Sequence, residues 1–150
     1  MPISAKTEYA ARAMIHLAIH FQKDSFVKTD SISFEQHIPK KYLEQILLQL
    51  KSTGLVQSKS GLNGGYKLSK QPSKITIADI IRAVEGPLAP VQCVSKSFYI
   101  PCSVADESKC ALRTVWQEAR DKFVAVLEKI TLEDVVSRTK ALNGKSESDI

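Results

Sequence analysis

A chain of 150 residues, 43% hydrophobic and 25% charged, has the composition of one ordinary globular domain. No stretch reaches membrane-spanning length, and the amphipathic, acid-bearing start MPISAKTEYAARAMIHLAIHF is unlike a signal peptide, so the expected compartment is a reducing cytoplasm. The net charge of +5 falls within residues 1–80, which hold 11 Lys/Arg against 6 Asp/Glu; residues 81–150 hold 10 of each, a split that suggests a polyanion-binding part joined to a different second part.

In chain order, residues 5–22 read as a helix. Ala10, Met14, Leu17, Ala18 and Phe21 form its apolar stripe, with Tyr9, Arg12, His16 and His20 on another face, where the two histidines are expected to meet solvent or DNA. A short helix is expected at Ser31–His37. Pro39 fits the first turn of the next helix, 39–53, in which Leu43, Ile46, Leu47 and Leu50 fall at i, i+3, i+4 and i+7 and Gly54 takes the C-terminal cap. LVQS and GYKLS read as strands joined by the glycine-bearing loop KSGLNG. A helix over Thr76–Glu85, stopped by Gly86 and Pro87, precedes the loop that carries Cys93, Cys102 and Cys110. From Ser108 to Ile130 a long helix places Leu112, Trp116, Ala119, Phe123, Val126 and Ile130 at alternating steps of four and three, the seam spacing of paired helices, although one chain could also bury them internally. TLEDVV (131–136) reads as a short capped helix and residues 138–150 as a polar, disordered tail.

The expected fold is mainly α with a small β-hairpin. It comprises a winged helix-turn-helix over 1–86, a cysteine loop over 87–110, a dimerisation helix and short terminal helix over 111–137, and the tail. Helix 39–53 buries its leucines and exposes Lys40, Lys41, Glu44 and Gln45. Such side chains read base edges in a major groove: Gln pairs with adenine, Glu accepts from cytosine, and Lys reaches guanine or phosphate. The hairpin loop is the candidate wing, with Lys59 and Lys67 neutralising phosphates beside Ser60 and Asn63. An ordinary amphipathic helix explains the apolar stripe equally well. Excess charge, helix spacing and a glycine wing in one segment favour double-stranded DNA as the partner. No phosphate-binding GxxxxGKS or GxxxxGKT loop, HExxH or GxSxG occurs, so no enzyme is expected.

The pieces YLEQIL, GLVQSKSGLNGGYKL, ITIADIIRAVEG and CALRTVWQEARDKFVAVLEKITLEDVV resemble the Rrf-two family of bacterial transcription regulators over roughly residues 1–137. The resemblance implies a homodimer whose long C-terminal helices cross at the interface. Cluster-binding members place an arginine of the wing in the minor groove, where this sequence has Ser60 with Lys59 beside it.

The cysteines are spaced C-x8-C-x7-C, wider than the C-x2-C pairs of zinc knuckles and ferredoxins. In a reducing compartment such a cluster suits metal binding, a zinc site or thiol redox switching. The family resemblance implies an iron–sulfur cluster held by Cys93, Cys102 and Cys110. IscR-like members add a histidine three residues after the third cysteine, a place held here by Arg113. NsrR-like members use an acid of the first helix from the other subunit, which matches Glu8, although a first-turn acid also suits the helix dipole.

Overall fold

The computed structural model describes residues 3–148, without the side chains of residues 23 and 146–148. Among these residues there are six α-helices and one two-stranded sheet. The helices are α1 (Ala5–Ile19), α2 (Thr29–Gln36), α3 (Lys40–Ser52), α4 (Ile77–Val84), α5 (Ala111–Lys129) and α6 (Leu132–Ser148), and the strands are β1 (Val56–Lys59) and β2 (Gly65–Leu68). The mainly α fold with a hairpin is as the sequence suggests.

The core lies where α1, α2, α3 and the hairpin meet. Met14 and Leu17 of α1, Ile32 of α2, Leu43, Ile46, Leu47 and Leu50 of α3 and Leu68 of β2 are each no more than 2% exposed. The four α3 side chains are those of the predicted stripe, each worth roughly 1.5–3 kcal/mol of burial. Between α2 and α3, His37 caps α2 in the left-handed conformation (φ 52°), and the Ser33 hydroxyl donates to Ile38 O at 2.6 Å. That turn lets buried Ile38 anchor the entry to α3.

The hairpin is antiparallel, pairing Val56 with Leu68 and Lys59 with Gly65. Val27 adds a single bridge at its edge, exchanging two 2.8 Å hydrogen bonds with Tyr66. Two glycines permit this geometry. A Cβ on Gly64 would lie 2.2 Å from Lys59 O, and one on Gly65, at φ +144°, would lie 2.2 Å from Val27 O.

Thr76 opens α4 with a capping box: Asp79 N–H donates to its hydroxyl at 3.1 Å, and its own N–H donates to Asp79 Oδ2 at 2.9 Å. The chain leaves this domain after α4, runs through the cysteine loop and α5, and returns at Thr131. There Ile77 N–H donates to Ile130 O at 3.0 Å, Leu132 N–H donates to Ile75 O at 2.9 Å, and Leu132 joins the core fully buried.

Two expectations are corrected. The terminal helix does not end at Val136: α6 continues to Ser148, and only Asp149 and Ile150 of the expected disordered tail lie outside the described residues. Leu132 and Val136 pack it on the core, and Thr131 and Asp134 form a capping pair (2.9 and 3.2 Å) that opens it. His16 does not face solvent or DNA. It is 2% exposed because α2 covers that side of α1, bringing the Gln36 amide to 3.3 Å from its Nδ1.

Candidate nucleic-acid interface and cysteine site

The α3 helix carries the candidate base-reading residues on the side opposite its leucines. Lys40, Lys41, Glu44 and Gln45 are all exposed. Lys40 is held by Asp30 of α2 at 2.7 Å, and this hydrogen bond and charge raise its pKa above the ordinary lysine value. On the wing, Lys59, Ser60 and Asn63 are exposed, and the Gly61–Gly64 turn that presents them closes with a 3.0 Å backbone hydrogen bond. Lys67 reaches Asp24 at 3.0 Å.

One participant escaped the sequence reading. The Phe26 ring sits under both wing cations, 4.9 Å from Lys67 Nζ and 5.9 Å from Lys59 Nζ. Its signal was an isolated aromatic in the polar segment KDSFVK, before α2.

Glu8 stands exposed in the first turn of α1. Its neighbours Ser4 and Thr7 both donate hydroxyl hydrogen bonds to Glu85 at the end of α4, Thr7 at 2.7 Å. Those bonds, Ser4 first, hold the Glu85 carboxyl below its ordinary range. The start of α1 is thereby tied to the residue before the cysteine loop. Glu8 itself is not among the residues that line the cysteine hollow of its own chain.

All three cysteines are free thiols and share one hollow beside the start of α5, with Glu107, Arg113 and Trp116 among its other walls. Cys93 and Cys110 are half-buried, and Cys102 is exposed. Hydrogen bonding from the Val104 backbone, seconded by Ser103, draws the Cys102 thiol below its ordinary pKa against desolvation and the Glu107 charge. Glu107 was not singled out from the sequence. It accepts from Tyr99 Oη at 2.6 Å and from Cys102 N–H, and lies 3.7 Å from Arg113, whose Nε–H also donates to Cys93 O at 3.3 Å. The Tyr99 bond first, then Cys102, keeps its carboxyl below the ordinary range. Three thiols facing one hollow suit a soft metal centre. As the loop stands, however, no three His, Cys, Asp or Glu side chains among the described residues converge closely enough to hold a metal ion.

Three helices leading into a basic antiparallel wing, with the third presenting polar side chains, define a winged-helix DNA-binding protein. The comparisons narrow this class. Residues 3–138 match the Rrf2 family, described as "Iron-dependent Transcriptional regulator". An rrf2-like HTH-type regulator of Rhodobacter capsulatus is 36% identical, the match covering 90% of this chain and 92% of that one. The structure of CymR, "the Global Cysteine Regulator of B. subtilis", superposes with a TM-score of 0.77 at 36% identity, over 92% of this chain and 98% of CymR. That of T. potens IscR gives 0.74 at 30%, over 93% and 88%. The chain belongs to the Rrf2 family, as a DNA-binding transcriptional regulator and not an enzyme. Among the described residues no helix is long and apolar enough to cross a membrane.

Proposed function

We propose that this regulator binds its operator as a homodimer, with α3 in the major groove and the β1–β2 wing against the adjacent backbone, under the control of an iron–sulfur cluster at Cys93, Cys102 and Cys110. The observation that carries the cluster is the shared hollow: residues up to seventeen positions apart in sequence present their thiols to one space. The family's iron-dependent description agrees with it. A bound cluster would supply a redox- and ligand-sensitive centre, and this chain's contribution is to hold it beside the start of α5, at the far end of the loop that follows α4. Where that loop begins, Glu85 accepts hydrogen bonds from Ser4 and Thr7 at the start of α1. The family resemblance gives the fourth position to Glu8 of the partner subunit.

The dimer rests on α5. Its 19 residues include none that is buried, while Leu112, Val115, Phe123 and Val126 stand 41–61% exposed. Its other side packs against α4 and the turn around Cys93, so this apolar face lacks a burial partner within its own chain.

The test is anaerobic purification. Brown protein with iron and sulfide by native mass spectrometry, and loss of both colour and cluster-dependent operator binding in Cys93→Ala, is the expected result; colourless, iron-free protein defeats the cluster. A second reading, in which the cysteines act as a metal-free thiol switch, draws on the exposure and lowered pKa of Cys102, the properties of an oxidisable thiol. That reading predicts an operator affinity that changes on thiol oxidation of iron-free protein.

A further inference from the structure

The resemblance carries an acid of the first helix to the fourth ligand position, but the structure places a different carboxylate among the cysteines. We propose that Glu107 is the fourth donor of the cysteine site, so that one subunit supplies the complete set. This rests on the cluster reading above and names the residue that completes it.

Three observations converge on Glu107. It opens a single 3-10 turn, Glu107–Lys109, capped by Cys110, whose N–H donates to Glu107 O at 3.2 Å. At three residues per turn, positions i and i+3 eclipse, so Glu107 and Cys110 project from the same side of that turn. The second observation is the tether to Cys102: its backbone N–H donates to one carboxylate oxygen of Glu107. The third is Arg113, which lies 3.7 Å from the other oxygen and donates to the Cys93 carbonyl. Cys102 and Cys93 are thus linked through their backbones to this carboxylate within two contacts, Cys110 is bonded to the Glu107 main chain, and Glu107 lines the same hollow as all three thiols.

Its neighbours do not compete for the role. Asp106 turns away to Ser108 and Lys109. Arg113 holds the position that would carry a histidine in IscR-like members, and a guanidinium has no lone pair to give. The Glu107 side chain is only 17% exposed and lines the hollow together with the three cysteines. The unconverged thiols set the condition for loading: Tyr99 and Arg113 clasp Glu107 in the open loop, and the loop must close for the four donors to meet. A carboxylate is the hardest of these donors and makes the weakest bond to a soft centre. The bond most readily lost would then come from the loop of the same subunit.

The experiment separates ligand from clasp. Full-length wild type, Glu107→Gln, Glu107→Cys and Glu8→Ala are reconstituted anaerobically with iron and sulfide, read by native mass spectrometry and visible circular dichroism, and then timed for iron release to a chelator. The Gln variant keeps an oxygen for Tyr99 and Cys102 but is a poor ligand; the Cys variant removes the clasp and supplies a thiolate. A ligand role predicts that Gln releases iron at least ~10-fold faster, since losing even an outer partner of a metal site costs 10–100-fold. It also predicts that Cys holds the cluster with an altered dichroism spectrum and that Glu8→Ala matches wild type. Retention by Gln, loss by Cys, or release from Glu8→Ala alone overturns the proposal. Wild type that takes up no iron defeats the cluster reading itself, a result distinct from all of these.

Discussion

The winged domain and the segment from the cysteine loop through α5 are built on opposite terms. The first packs the side chains of α1–α4 and the hairpin around one another, so that its apolar stripes are spent on its own core. In the second, α5 buries no residue, and the loop buries little beyond Val94 and Ser95. Phe98, Tyr99 and Ile100 stay exposed beside the cysteines. The contrast teaches that stability and response are divided between the two regions. One is complete as a single chain; the other leaves the apolar side chains of α5 exposed and its three thiols free.

The largest effect should come from breaking the self-sufficient side. Leu47→Ala in α3 removes a fully buried side chain from the centre of the core and should cost roughly 2–5 kcal/mol in urea unfolding. A loss under 1 kcal/mol would mean that the α3 core is not the stable unit. Val126→Glu on α5 attacks the other side, where the side chain is 61% exposed. It should leave the far-ultraviolet spectrum of the winged domain intact while shifting the proposed dimer to monomer in sedimentation; an unchanged sedimentation coefficient would remove α5 from the proposed interface. At the DNA face, Lys59→Ala should flatten the dependence of log affinity on log salt by about one unit, the signature of one lost phosphate contact. A matching loss at every salt concentration would point instead to a collapsed wing.

The same division explains what could be read from the sequence. Helix α3 announces itself because Leu43, Ile46, Leu47 and Leu50 bury one face in periodic order, and the wing because its glycines meet constraints that only a residue without a Cβ satisfies. The seam of α5 is equally periodic, and the structure leaves most of it exposed. What stayed hidden depends on approach between distant segments. Phe26 matters because β2 brings Lys67 over its ring, and His16 is buried because α2 crosses its helix face. The length of α6 was hidden by its polar composition, since Leu132 and Val136, both in its first turns, are its apolar contribution to the core. Glu107 reads locally as one acid in ADESKC; only the folded loop shows it between Tyr99, Cys102 and Arg113.

The smallest effect tests whether the packed side also titrates. His16 Nδ1 lies 3.3 Å from the Gln36 amide nitrogen and 3.8 Å from Glu35 Oε2, and its Nε2 is buried without a hydrogen-bond partner. The His20 ring is 4.5 Å away, and Arg12, one turn earlier, donates to Gln36 O at 3.0 Å. With the Gln36 amide in this orientation Nδ1 is an acceptor, and a proton there would face another donor. Burial, reinforced by His20 and opposed by Glu35, lowers the His16 pKa below its ordinary 6.5. The unfolded chain therefore binds a proton more readily than the folded one, so stability is full above about pH 6.5 and falls as pH drops toward the folded pKa. Urea midpoints measured from pH 7.5 to 5 should decline in wild type and flatten in His16→Gln. Glu35→Gln removes the opposing charge and should steepen the decline. An identical pH profile in all three proteins would place the titrating group elsewhere and leave the α1–α2 contact insensitive to pH.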